Sequence, residues 1–173
     1  MNSMSVLDVK NDGEIQHMVL PVGWTEKFRH DESQWVSSRR RTFHPEKNEQ
    51  VKIMIYDRAR PISGRSVAAV QVATATAGKL NKAQIDALSE VLGAASLMDA
   101  FAFVDVRCEE WNGRNVLMIE GRWNELQENV FWMIVQRKER PSHVQEILFQ
   151  APREEYALNL KDARAALKSI VWI

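Results

Sequence analysis

The sequence predicts an α+β fold: a mostly antiparallel sheet of about six strands packed with helices. Three observations carry this expectation. Four segments rich in branched and aromatic residues follow one another between Phe101 and Gln150, separated by short polar breaks. Asn112-Gly113 stands between the first two, and both central residues of a tight hairpin turn must take positive φ, which Asn and Gly tolerate. Segments with helical spacing of apolar residues flank the run on either side.

Taken in order, residues 1–13 alternate apolar side chains with Asp8, Lys10 and Asp12, and are expected to be a flexible lead-in. Trp35–Phe43 and Val51–Asp57 read as two strands around a polar loop containing Pro45. Ser66–Ala77, rich in Ala, Val and Thr, is expected to be helical. A second helix covers Leu80–Ala95, where Leu80, Leu88, Val91, Leu92 and Ala95 share a stripe and Asn81 with Gln84 makes an N-terminal capping pair. The four strands are Phe101–Glu110, Asn115–Trp123, Glu128–Arg137 and His143–Gln150, joined as a meander. A final helix begins near Pro152, with Glu154 and Glu155 at its positive end and Tyr156, Leu160, Ala163 and Leu167 on one face.

Length and composition set the class. The chain has 173 residues, 45% hydrophobic and 27% charged, which suits a single domain over 1–173 with a sizeable core. Lys plus Arg and Asp plus Glu both total 23, so the global field that draws a protein onto nucleic acid or an anionic membrane is missing. No apolar run approaches the length of a membrane span. With one cysteine, Cys108, and no secretory h-region, the expected setting is the cytoplasm.

Known chemical signatures are missing. The four histidines are scattered, no Cys-x-x-Cys or His-x-x-x-His pair occurs, and neither a phosphate loop nor a nucleophile elbow is present. No metal or cofactor is therefore expected. Cys108, among Val104 and Val106, reads as a small buried hydrophobe. Arg39, Arg40 and Arg41 beside Trp35 and Phe43 are the best nucleic-acid candidate. Strand alternation, however, sends neighbouring arginines to opposite faces, and a weak single-stranded nucleic-acid binder using Trp35 and Arg39 to Arg41 is kept as a third reading.

The hairpin permits a sharper inference. A two-residue turn at 112–113 sets Trp111 opposite Arg114, Cys108 opposite Leu117, Val106 opposite Ile119 and Asp105 opposite Glu120. One face then carries Ala102, Val104, Val106, Cys108, Leu117, Ile119 and Trp123, a core face. The other carries Phe103, Asp105, Arg107, Met118, Glu120 and Arg122, extended by Phe131, Met133 and Val135 if the third strand keeps register. Opposed carboxylates repel, so Asp105 and Glu120 require Arg107 and Arg122 within diagonal reach. This second face is the expected recognition surface, with Asp105, Arg107, Glu120, Arg122, Phe131 and Met133 gripping a peptide or helix. A hydrolase or lyase using Asp105 and Glu120 as acid and base is the alternative; for this carboxylate pair a solvated charge ladder or a satisfied ion-pair network beneath a helix is favoured first, binding next and catalysis last.

Leu20-Pro21-Val22-Gly23-Trp24 resembles an opening element of the DcrB-like and PsbP-like superfamily. The ending resembles it too, in the strand Val144–Phe149, Ala151-Pro152, the helix with Tyr156, and Leu167-Lys168-Ser169-Ile170. The resemblance implies a PsbP-like sandwich. Where functions are known in that superfamily it implies binding work: a photosystem II extrinsic subunit, a Ran-binding nuclear import factor, and cytosolic chaperones of type VI secretion effectors. From it comes the expectation of an adaptor or chaperone for another polypeptide, with homo-oligomerisation left open. Fold analogy transfers no functional residue.

Overall fold

The computed structural model of the chain describes residues 6–27, 39–96 and 99–173. Trp35 and the first part of the strand expected over 35–43 lie outside the described residues. An eight-stranded antiparallel sheet forms the middle layer, and both of its faces are covered.

The strands, in chain order, are β1 (Asp8–Asp12), β2 (Ile15–Val19), β3 (Trp24–Glu26), β4 (Arg39–Pro45), β5 (Lys52–Asp57), β6 (Gly78–Lys79), β7 (Phe101–Trp111), β8 (Arg114–Trp123), β9 (Glu128–Gln136), β10 (Val144–Pro152) and β11 (Val171–Trp172). The helices are α1 (Gly64–Thr74), α2 (Lys82–Ala87), α3 (Ser89–Leu92) and α4 (Arg153–Lys168). The large sheet runs β3-β4-β5-β10-β9-β8-β7-β6, and a small sheet runs β1-β2-β11. The α+β expectation holds, and the six expected strands are the six long ones.

Central strands betray their position in composition. Val130 to Val135 is an unbroken apolar run, and every residue of it is buried. Such continuity is what a strand covered on both faces requires, whereas a half-solvated strand alternates. One core contains Met118, Phe131, Met133 and Val135 from the sheet, Val9, Ile15 and Met18 from the small sheet, and Ala163, Ala166 and Leu167 from α4. The other contains Val106, Cys108, Leu117, Ile119, Trp132 and Ile134, with Val70, Leu88, Val91 and Leu92 from the helical layer. Cys108 is thus the small buried hydrophobe anticipated, and burial first, with Glu109 nearby second, pushes its thiol pKa up.

The hairpin register is as expected: Trp111 pairs with Arg114, Cys108 with Leu117, Val106 with Ile119 and Asp105 with Glu120. Asn112 and Gly113 take φ of 52° and 80°. The alternation fails beyond Asp105. A bulge falls between Phe103 and Asp105, because Val104 is an extra residue in β7. Val104 consequently points outward at 72% exposure, while Phe101 is buried and Phe103 packs beside it in the core that should have received Ala102 and Val104. At Gly121 the absent side chain leaves room for the Phe101 ring, which also meets Trp123 edge-on at 4.8 Å.

Two other expectations are corrected. Residues 8–12 form β1, not a flexible lead-in, because Val9 and Asp12 are buried and Gly13 at φ 62° turns the chain into β2. The turn is tied to the large sheet by Gln145, whose Oε1 accepts from Glu14 N at 2.9 Å and whose Nε2 donates to the Asp12 carbonyl at 2.9 Å. The helix expected over 80–95 is broken. Asn81 and Gln84 do form a reciprocal capping box, but the turn tightens at Leu88, and Gly93 at φ 55° ends α3. Pro152 precedes the first turn of α4 as its N-cap.

Candidate functional site

The face proposed for docking is already occupied. α4 lies over it, burying Phe131 and Met133, and the Arg164 guanidinium sits 4.7 Å above the Phe131 ring. The register that groups Met118, Glu120, Phe131 and Met133 is the expected one, yet these residues face the chain's own helix. Phe131 and Met133 therefore pack as core and do not offer a surface to a partner.

At the rim of this covered face the charges form a closed network. Arg107 donates through Nη1 to Asp105 Oδ2 at 2.6 Å, through Nη2 to Glu120 Oε1 at 3.1 Å, and through Nε to Glu109. One guanidinium thus bridges the opposed carboxylates, as the cross-strand argument demanded. The second cation is not Arg122 but Arg164 of α4, whose Nη2 reaches Glu120 Oε1 at 2.8 Å. Arg122 makes no ion pair with either acid among the described residues, and its Nε is buried without a partner. Arg164 carried only a weak signal in the sequence, as a basic residue towards the negative end of a helix.

The electrostatics agree with the contacts. For Arg107, burial would lower the pKa, but its hydrogen bonds to Glu109, Glu120 and Asp105 outweigh it and hold the guanidinium above its ordinary value. Burial opposes ionisation of Glu109 as well, and is outweighed by the donors of Arg107 and Trp111, leaving the carboxyl below the usual range. Tyr156, beneath the network, is pushed up to about 12 by burial and secondarily by Glu120. Acid–base catalysis needs a carboxyl free to exchange a proton with substrate. Here Asp105 and Glu120 share a guanidinium.

Of the arginine run, Arg41 is the residue whose contacts bear on nucleic-acid binding. Arg41 is clamped by Glu26 at 2.7 and 2.8 Å and by Asp12 at 3.1 Å, and Phe43 is fully buried. Neither is available to stack on bases. Among the described residues no cluster of three or more His, Cys, Asp or Glu could hold a metal, and no helix is long and apolar enough to cross a membrane.

Two concavities away from the expected site carry more. The first, of about 420 Å³, is a shallow, mainly apolar groove between the Leu20-Pro21-Val22 segment and α4, where Asp162 is the one charged lining residue among the described residues. The second, of about 340 Å³, opens on the opposite face of the sheet among Tyr56, Trp123 and Trp132, with Arg58 and Glu146 in its wall. Neither was anticipated, since each joins segments far apart in the chain.

No protein-family model matches the chain, and no curated protein matches it. Among solved structures it is similar to cyanobacterial PsbP (CyanoP) from Synechocystis sp. PCC 6803. That likeness has a TM-score of 0.57 at 8% sequence identity, covering 99% of this chain and 95% of the other. The chain has a PsbP-like fold, and at this identity the likeness speaks to fold alone.

Proposed function

We propose that this chain is a non-enzymatic binding module, an adaptor or chaperone for another polypeptide, and that the partner lies in the groove beside α4. The observation that carries this reading is the exposure of apolar side chains there. Val22 is 59% exposed and Val6 51%, and both line the groove. Apolar side chains scattered singly mean little, but two exposed valines at the lips of one apolar concavity make a surface that an amphipathic segment can cover. Asp162 adds one negative charge to a mainly apolar lining, so the complementary partner is an apolar helix with a basic residue at its margin. The engaged state of Asp105 and Glu120 supports binding over hydrolysis, and a reducing cytoplasmic setting suits the free buried thiol of Cys108.

A labelled synthetic helix with leucines along one face and a single lysine beside them tests this reading by fluorescence anisotropy. Val22→Glu and Ala165→Glu, both at exposed positions, should abolish saturable binding, and Asp162→Lys should weaken it at least about fivefold. Equal binding by all four proteins, or none by the unsubstituted chain, refutes the groove as the recognition surface. Concentration-dependent self-association that disappears in Val22→Glu would assign the groove to a second copy instead.

A further inference from the structure

The cavity on the other face of the sheet carries an inference independent of the groove. It sits where the helical layer ends: Tyr56 on β5 and Glu146 on β10 are cross-strand partners, and Leu92 of α3 closes the far side. Tyr56, Trp123 and Trp132 supply aromatic walls to a volume of about 340 Å³, a space that suits a one- or two-ring molecule.

Its polar groups are unusual for a packed interior. Glu146 is buried, and Arg58 donates to it through Nε. The remaining guanidinium nitrogens are committed to backbone, with Nη1 on the Glu90 carbonyl at 3.1 Å and Nη2 on the Val91 carbonyl. Arg58 therefore ties the end of the helical layer to the sheet, and it gives Glu146 only one hydrogen bond. A carboxylate has roughly four acceptor positions, and leaving them empty in an apolar surrounding is costly. Burial accordingly raises the Glu146 pKa, against the opposing pull of Arg58 and the nearby Trp132 indole. The indole itself is not well placed: Trp132 Nε1 is buried without a hydrogen bond of acceptable geometry.

Charge and shape together select the ligand. One cation and one anion already in contact leave the cavity without net charge, so a cationic ligand meets Arg58 and an anionic one meets Glu146. Flat aromatic walls favour a flat aromatic guest. Glu146 accepts one hydrogen bond from Arg58 and has acceptor positions to spare. We propose that this cavity binds a small uncharged aromatic molecule carrying an N–H group that donates to Glu146.

Benzamide is the probe, followed through the indole N–H signals of Trp123 and Trp132 in heteronuclear NMR of the full chain. Saturable shifts of both signals are expected, with affinity at least about fivefold above that for toluene, which has the ring and no donor. Benzoate and benzamidinium should bind no better than toluene. Leu148→Phe, which fills the cavity from β10, should remove the shifts. Should that variant not fold, Tyr56→Leu, which keeps the bulk and removes one aromatic wall, should weaken benzamide at least about threefold.

Absence of saturable shifts with benzamide overturns the proposal. Equal affinity for toluene overturns the donor to Glu146, tighter binding of either ion overturns the uncharged class, and shifts that survive Leu148→Phe or Tyr56→Leu place the ligand elsewhere. Val22→Glu should leave the benzamide shifts intact, so failure here and failure of the groove are separable.

Discussion

A Cβ atom added to Gly13 would lie 2.2 Å from Nε2 of Gln145, so the amide of Gln145 occupies the place where any other residue at 13 would carry its side chain. That contact lets one glutamine satisfy both the Glu14 amide and the Asp12 carbonyl, joining the small sheet to the large one. Gln145→Leu would leave two buried backbone groups without partners, at about 1–3 kcal/mol each. We expect its urea midpoint to fall well below that of the unsubstituted chain. Gly13→Ala should lose stability too, through the clash and the positive φ.

Gly121 faces Phe101 so closely that a Cβ there would lie 2.3 Å from the ring and 2.7 Å from the Ala102 carbonyl. The carbonyl cannot swing aside as a flexible side chain would. Gly121→Ala is expected to cost about 1–3 kcal/mol in chemical denaturation, as for other overpacked interiors.

Arg107 should reveal its role through pH. The Glu109 carboxyl lies below its ordinary range in the folded chain, so this contribution to stability is present above the unfolded pKa of about 4.3 and is lost as pH falls through the depressed value. Replacing Arg107 by methionine is expected to cost about 1 kcal/mol at neutral pH, a modest figure because the carboxylates are partly solvated. The gap between the two proteins should close on acidification. A gap that stays constant down to strongly acidic pH would mean that the arginine acts by packing alone.

Glu146 has the opposite sign. Burial, the largest influence, holds its carboxyl above the usual range, so the folded chain keeps that proton to higher pH than the unfolded chain does. Its contribution to stability is full below about 4.3 and declines as pH rises through the elevated folded value. Measured against Glu146→Gln, which cannot ionise, the unsubstituted protein should lose relative stability between mildly acidic and neutral pH. A relative gain over that interval would show that Arg58 more than offsets desolvation.

The hairpin was legible to the residue because a two-residue turn fixes the phase of both strands, and from Trp111 back to Asp105 the pairing follows by counting. Counting fails at Val104, since a bulge inserts one residue and an ordinary valine gives no local sign of it. Alternation also separates two faces without saying what covers each. The run from Val130 to Val135 did carry that information, as it leaves no side of β9 suited to water. The partner of Glu120 was not legible, because Arg164 is 44 residues away and reaches it only through the docking of α4. The Tyr56–Glu146 cavity depends likewise on β5 pairing with β10 and on where α3 stops, neither of which leaves a spacing pattern in the chain.

The outward-looking Val104 has one more consequence. Among the described residues β6 pairs with β7 at Gly78 and Lys79, and Leu80 N donates to the Val106 carbonyl at 2.9 Å, so the remaining length of the last long strand has no strand partner among them. An incoming strand would find its ladder dislocated by the extra residue within a few rungs, and fibril growth templated from that margin is stalled by geometry rather than by charge.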